Sequence, residues 1–175
     1  MKIKLDPRRI LSVLSVFLFA SSAACVEGPE EGKILSLDNV TVTCYALGGD
    51  TATLKEPVES LYVYKGDAGK ALIYLKNVII EGEREVTSFG IKDPLYIIVF
   101  RGFFPGLSKV TVKKVVLRGT EFDIYAEYWN APEYSTASQP AAIIPVGQLP
   151  PGKYSVILFV GNELHKKTEF KVKGR

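Results

Sequence analysis

Histidine occurs once in this 175-residue chain, tryptophan once and cysteine twice. Two cysteines are too few for a disulfide framework or a cysteine-based zinc site. A single histidine, His165, excludes paired-histidine zinc motifs and the two-histidine facial triad. Also missing are a Gly-x-Ser-x-Gly nucleophile elbow, a P-loop and a dinucleotide-binding glycine fingerprint. Two Gln and four Asn, beside one Met and two Cys, point to a thermophilic source. Surplus charge of one sign is lacking as well. The net +3 belongs to the first 24 residues, where Lys2, Lys4, Arg8 and Arg9 face Asp6 alone. Beyond them 18 basic and 18 acidic groups balance, which argues against nucleic acid as a partner. No cofactor or metal is expected. What the chain does have is 47% hydrophobic and 11% aromatic residues, enough for a folded core and too much for a disordered chain.

The longest apolar stretch, Ile10 to Ala24, follows the basic start and falls short of the roughly 20 residues that cross a bilayer. Residues 1–24 therefore read as an export signal. Ser22-Ala-Ala-Cys25 resembles a lipobox, the motif that directs a diacylglycerol onto the cysteine, with Ser22 where an aliphatic residue is usual. Residues 25–33 then form a polar tether, and lipid on Cys25 would anchor the chain to a membrane at roughly 0.8 kcal/mol per buried methylene. A Cys25–Cys44 disulfide in a secreted protein is the other reading, closing a loop for roughly 3 kcal/mol. Under lipidation Cys44 stays free and acts as a small hydrophobe. The expected location is the cell envelope, as a lipoprotein, or otherwise the exterior.

From residue 34 onward apolar residues recur with a period of two. Val40, Val42 and Cys44 alternate with threonines; 59–64, 71–75 and 78–80 are short β-rich runs, with a turn cluster at 65–69. Leu95–Phe100 is apolar on both faces, as a central strand would be. Val110–Leu117 pairs with Glu121–Trp129 across Arg118-Gly119, and Tyr154–Val160 with Glu163–Val172 across Gly161-Asn162. In the last strand Leu164, Thr168, Phe170 and Val172 share one face. Prolines interrupt every window long enough for an amphipathic helix, so none is expected. The sequence predicts one all-β domain over 34–175, an immunoglobulin-like antiparallel β-sandwich.

Tyr96-Ile-Ile-Val-Phe-Arg-Gly102, Pro105-Gly106, Val110-Thr-Val112, Glu121–Tyr128 and Ser135–Pro145 together resemble the C-terminal domain of PrcB-type proteins, lipoprotein subunits of a bacterial surface protease complex. The family's Thr-Gly-Gly-Tyr-like turn reads Phe104-Pro-Gly-Leu-Ser108 here. The resemblance implies a surface protease or its complex as partner. Leu149-Pro-Pro-Gly-Lys-Tyr-Ser-Val156 through Phe170-Lys-Val172 is similar to the last two strands of immunoglobulin-like surface domains.

Groups for catalysis are scarce, and no catalytic residue is assigned. His165 reads as a solvated edge residue beside Glu163 and Lys167, without partner or pocket. Glu81, Glu83 and Glu85 read as a solvated acidic edge rather than a cation site. Candidate recognition surfaces are better represented. Gly102-Phe-Phe-Pro-Gly106 puts Phe103 and Phe104 in a turn, and Trp129–Thr136 brings Trp129 and Tyr134. Arg101, Lys109, Lys113, Lys114 and Arg118 form a basic stretch without an acid, read chiefly as charged strand faces. The expected function is a non-catalytic binding module that engages a protein partner through loops 102–106 and 129–136. A glycan- or small-ligand-binding domain, using Trp129, Tyr125 and a neighbouring Tyr, is the alternative. A protease inhibitor is the third reading.

Overall fold

The computed structural model describes residues 32–45, 59–80, 84–133 and 137–174. The leader, Cys25, Tyr134, Glu81 and Glu83 lie outside the described residues.

Two β-sheets face each other. The first has the order β1 (Lys33–Ile34), β7 (Leu107–Arg118), β8 (Glu121–Ala131), β10 (Gly152–Val160), β11 (Glu163–Lys173) and β4 (Ser88–Gly90). The second has the order β2 (Thr41–Tyr45), β9 (Ala137–Gly147), β5 (Leu95–Phe100) and β3 (Ser60–Lys65), with β6 (Phe104–Pro105) also on β9. Both expected hairpins form. β7 and β8 join through Gly119-Thr120, one residue past the expected turn, and β10 and β11 through Gly161-Asn162. The second sheet is antiparallel throughout, but β8 and β10 run parallel, as do β11 and β4. The reason is connectivity: after β8 the chain crosses to the second sheet as β9 and re-enters the first in β8's direction.

Alternation then fills the space between the sheets. Phe122, Ile124 and Ala126 from β8, Val156 and Leu158 from β10, and Phe170 and Val172 from β11 meet Leu61, Val63, Ile97, Val99, Ala142 and Ile144 from the second sheet. Each fully buried aliphatic or aromatic chain contributes about 1.5–3 kcal/mol. β5 is apolar on both faces because it is buried on both. Ile97 and Val99 enter this core, while Ile98 and Phe100 point to the opposite side.

What covers that opposite side corrects the sequence reading. Residues 71–75 and 78–80, expected as strand, form one helix, α1 (Ala71–Ile80). Asp67, in an extended conformation, accepts the Gly69 N–H at 2.7 Å and caps a short 3₁₀ turn that leads into it. Ala71 and Leu75 are buried, and Leu72, Val78 and Ile79 pack beside them against Tyr62, Ile98, Phe100, Ala141 and Ile143. That spacing is a helical stripe. The molecule has three layers: sheet, sheet, helix.

Candidate interaction surface at one end of the sheets

Arg101 leaves β5 with its N–H on the Pro140 carbonyl at 3.0 Å, and Gly102 takes φ +85° to turn the chain. Phe103 then projects outward, 36% exposed. Phe104 and Pro105 pair with Ser138 and Ala137 of β9. Gly106 closes the loop at φ +143°, its N–H on the Phe104 carbonyl (2.9 Å) and its carbonyl accepting the Ser138 hydroxyl (2.7 Å). A Cβ on Gly106 would lie 2.9 Å from both the Ala131 carbonyl oxygen and Pro132 Cα. Glycine is what allows loop 102–106 to touch the segment after β8.

Arg101 joins the two loops. Its guanidinium lies 4.7 Å from the centre of the Phe104 ring and 4.5 Å from that of Tyr128. One nitrogen, Nη1, donates to Ser108 Oγ and to Asn130 Oδ1. Ser108 is buried, and its Oγ lies 3.1 Å from the Trp129 carbonyl and 3.2 Å from Asn130 Oδ1. Burial lowers the guanidinium's pKa, opposed by the negative charge of Glu59. A planar cation with several fixed donors and two apolar faces suits this position; an ammonium would not.

The network runs on into the second sheet. Tyr128 donates its hydroxyl to Glu59 Oε1, just ahead of β3, and Glu59 Oε2 lies 2.6 Å from His165 Nε2. The His165 ring meets Tyr128 edge-on, with centroids 5.9 Å apart. Burial, then the Glu59 carboxylate, pushes the Tyr128 phenol far above the ordinary tyrosine range. It therefore acts as a proton donor to Glu59. His165 is thus not the partnerless edge residue that the sequence suggested. A bulge between Leu158/Phe159 and their partners inserts it into β11 and re-aims it at Glu59. The same extra residue turns Leu164 outward, 65% exposed, off the face assigned to it with Phe170.

Comparison with protein-family models, curated proteins and solved structures found no match to this chain. The site is therefore read from its geometry alone. Phe103 and Trp129 are exposed, Trp129 at 53%, while Phe104 is half-buried beneath Arg101; Tyr134 lies outside the described residues. Trp129, Asn130 and Ala131, expected in a loop, are the last residues of β8, so loop 102–106 meets the end of a strand there. Trp129 shares the outer face of β8 with Tyr125, whose stacked neighbour is Phe159 (5.0 Å, 12° between planes), not a tyrosine. Of the basic stretch, Arg101 is in the clamp, Arg118 bonds Asp123, and Lys113 pairs with Glu127 at 2.8 Å. Among the described residues there is no cluster of three or more His, Cys, Asp or Glu arranged to hold a metal, and no helix long and apolar enough to cross a membrane. Sequence reasoning missed Glu59 and the Arg101 clamp. Glu59 and His165 are 106 positions apart, and no local pattern joins them.

Proposed function

We propose that this chain is a non-catalytic binding module of immunoglobulin-like sandwich type, exported and held at the cell envelope through lipid on Cys25. It engages a protein partner through loops 102–106 and 129–136. The observation that carries this reading is the Arg101 clamp. A guanidinium held by Phe104, Tyr128, Ser108 and Asn130 fixes two loops as one preorganised surface. Preorganisation removes part of the ordering cost of association. The exposed rings of Phe103 and Trp129 are the kind of anchors that dominate interfaces. The likeness to PrcB-type subunits makes a surface protease complex the partner of choice, and the C-terminal hairpin supports the immunoglobulin-like assignment.

The test is crosslinked capture from native membranes with the full chain. One partner, identified by mass, is expected at fixed stoichiometry. Phe103→Ser weakens its capture about tenfold or more. Ile73→Ser, at an apolar position of α1 that is 60% exposed, leaves it unchanged. Equal capture by both variants sinks the loop reading. Phe104 is unsuitable for this test because its loss also unseats Arg101.

A further inference from the structure

No other strand or helix among the described residues packs on the outer face of the first sheet, although Val116 and Asp123 in its middle row are buried and Gly32 lies against Val116; α1 packs on the second sheet. Register and alternation give its composition row by row. Lys109 stands opposite Trp129, and Thr111 opposite Glu127. Past the bulge at Lys113, Lys114 lies beside Tyr125, which lies beside Phe159, which lies beside Leu164. The next rows are Val116, Asp123, Ile157 and Lys167, then Arg118, Glu121, Ser155 and Glu169. Lys153 and Lys171 close the series, directly opposite one another.

Three features of this face go together. First, Lys109, Lys114, Lys153 and Lys171 have no carboxylate within ion-pair reach among the described residues, whereas Lys113, Arg118 and Lys167 do. Two lysines facing each other across an antiparallel pair destabilise it, so an anion between them would relieve a standing repulsion. Second, Lys153 and Lys171 border an open groove of about 520 Å³, where Thr120 and Ser155 supply hydroxyls, Glu169 a carboxylate and Lys167 a further ammonium. Third, Trp129 and the Tyr125–Phe159 stack provide two aromatic pads on the same face, four residues apart on β8, or roughly 13 Å.

We propose that this face binds an acidic polysaccharide. Sugar rings present C–H faces that rest on aromatic rings. Carboxylate or sulfate groups answer the unpaired lysines, and sugar hydroxyls donate to Glu121, Glu127 and Glu169 between them. Those interleaved carboxylates are unfavourable to a nucleic acid, whose phosphates carry a charge at every step of the strand. The charged rows also divide the apolar residues, so the face lacks the continuous apolar centre of a protein interface. This site shares Trp129 with the proposed partner surface and otherwise lies apart from it on the outer strand faces, so replacing Lys153 and Lys171 acts on this site alone.

Trp129 is the chain's only tryptophan, so intrinsic fluorescence reports the site directly. The full chain is titrated with oligogalacturonate. A saturable change in emission is expected, weakened by added salt. The methyl-esterified oligomer, the same sugar without its charge, binds at least tenfold more weakly. Lys153→Ala combined with Lys171→Ala weakens oligogalacturonate binding about tenfold. This variant folds at least as stably as the parent because it removes a facing like-charge pair. Lys70→Ala, just ahead of α1, leaves binding unchanged. No saturable change, equal binding of the neutral ester, or an undiminished response in the double-lysine variant overturns the proposal. Tighter binding of single-stranded DNA of matched charge, or an equal loss in Lys70→Ala, does the same.

Discussion

Asp123 shows how little an ion pair guarantees. It is 2% exposed on the outer face of β8, between Val116 and Ile157, with Arg118 as its partner. Burial raises its carboxyl above the ordinary carboxylate value, and the attraction of Arg118 only partly opposes this. Desolvation thus outweighs the Coulombic gain at this position. Arg118 is itself nearly half exposed and stays hydrated when its partner is neutral. A raised carboxyl pKa means that the fold disfavours the ionised form. That penalty is present at neutral pH and disappears as pH falls through 3.8, where the unfolded chain also becomes protonated. Asp123→Asn keeps the shape and removes the charge, so at pH 7 it should be as stable as the parent or more so, by on the order of 1 kcal/mol. The difference should vanish at pH 3. Urea unfolding at the two pH values measures this, and a variant clearly weaker at pH 7 would contradict it.

Hairpins were the most legible parts of the fold because their chemistry is local. Gly161 and Asn162 adopt φ +59° and +71°, the pair of positive angles that a tight turn of matching twist requires. A Cβ on Gly161 meets nothing within 4 Å, so Gly161→Ala isolates the backbone cost. About 1 kcal/mol of destabilisation is expected, read as a lower urea midpoint with an unchanged slope. A neutral result would mean that the turn relaxes to another type. Elements whose signals conflict with one another were harder to see. In α1, Leu72, Ile73 and Tyr74 suit a strand, and the helical reading rests on the spacing of Ala71, Leu75, Val78 and Ile79 behind the Asp67 cap. β9 lies inside its sheet yet contains Pro140 and Pro145, residues normally kept from such positions, so pattern reading left it unassigned. Bulges shift the alternation: the apolar phase moves from Val110 and Val112 to Val115 and Leu117 across Lys113. The two candidate loops were visible separately. Their union was not, because it depends on Arg101 reaching Asn130 and on Gly106 meeting Ala131 and Pro132.

Each interior interface of this protein holds a tyrosine whose phenol must stay protonated. Tyr62 lies in the cluster beneath α1; Tyr154 lies in the main core, its hydroxyl donating to the Pro150 carbonyl at 2.9 Å; Tyr128 ties the two sheets together through Glu59. Burial raises all three above the ordinary value of 10.0, with Tyr128 the most displaced. For an acid whose folded pKa is raised, the stabilising contribution is complete below the unfolded value and is lost as pH climbs past it. Stability should therefore hold up to about pH 9 and fall steeply beyond 10, as ionisation favours the unfolded chain in every layer at once. Tyr128→Phe separates its share from the rest. The ring remains for Arg101, but the hydroxyl to Glu59 is gone, which costs about 1–2 kcal/mol at neutral pH. Because the variant has one less phenol to ionise, its stability falls more gently above pH 10, and the two curves should converge there. Denaturant midpoints between pH 7 and 11 give both curves. Parallel curves would mean that Tyr128 is not held protonated by the fold, and the link it makes between the sheets would then not depend on its proton.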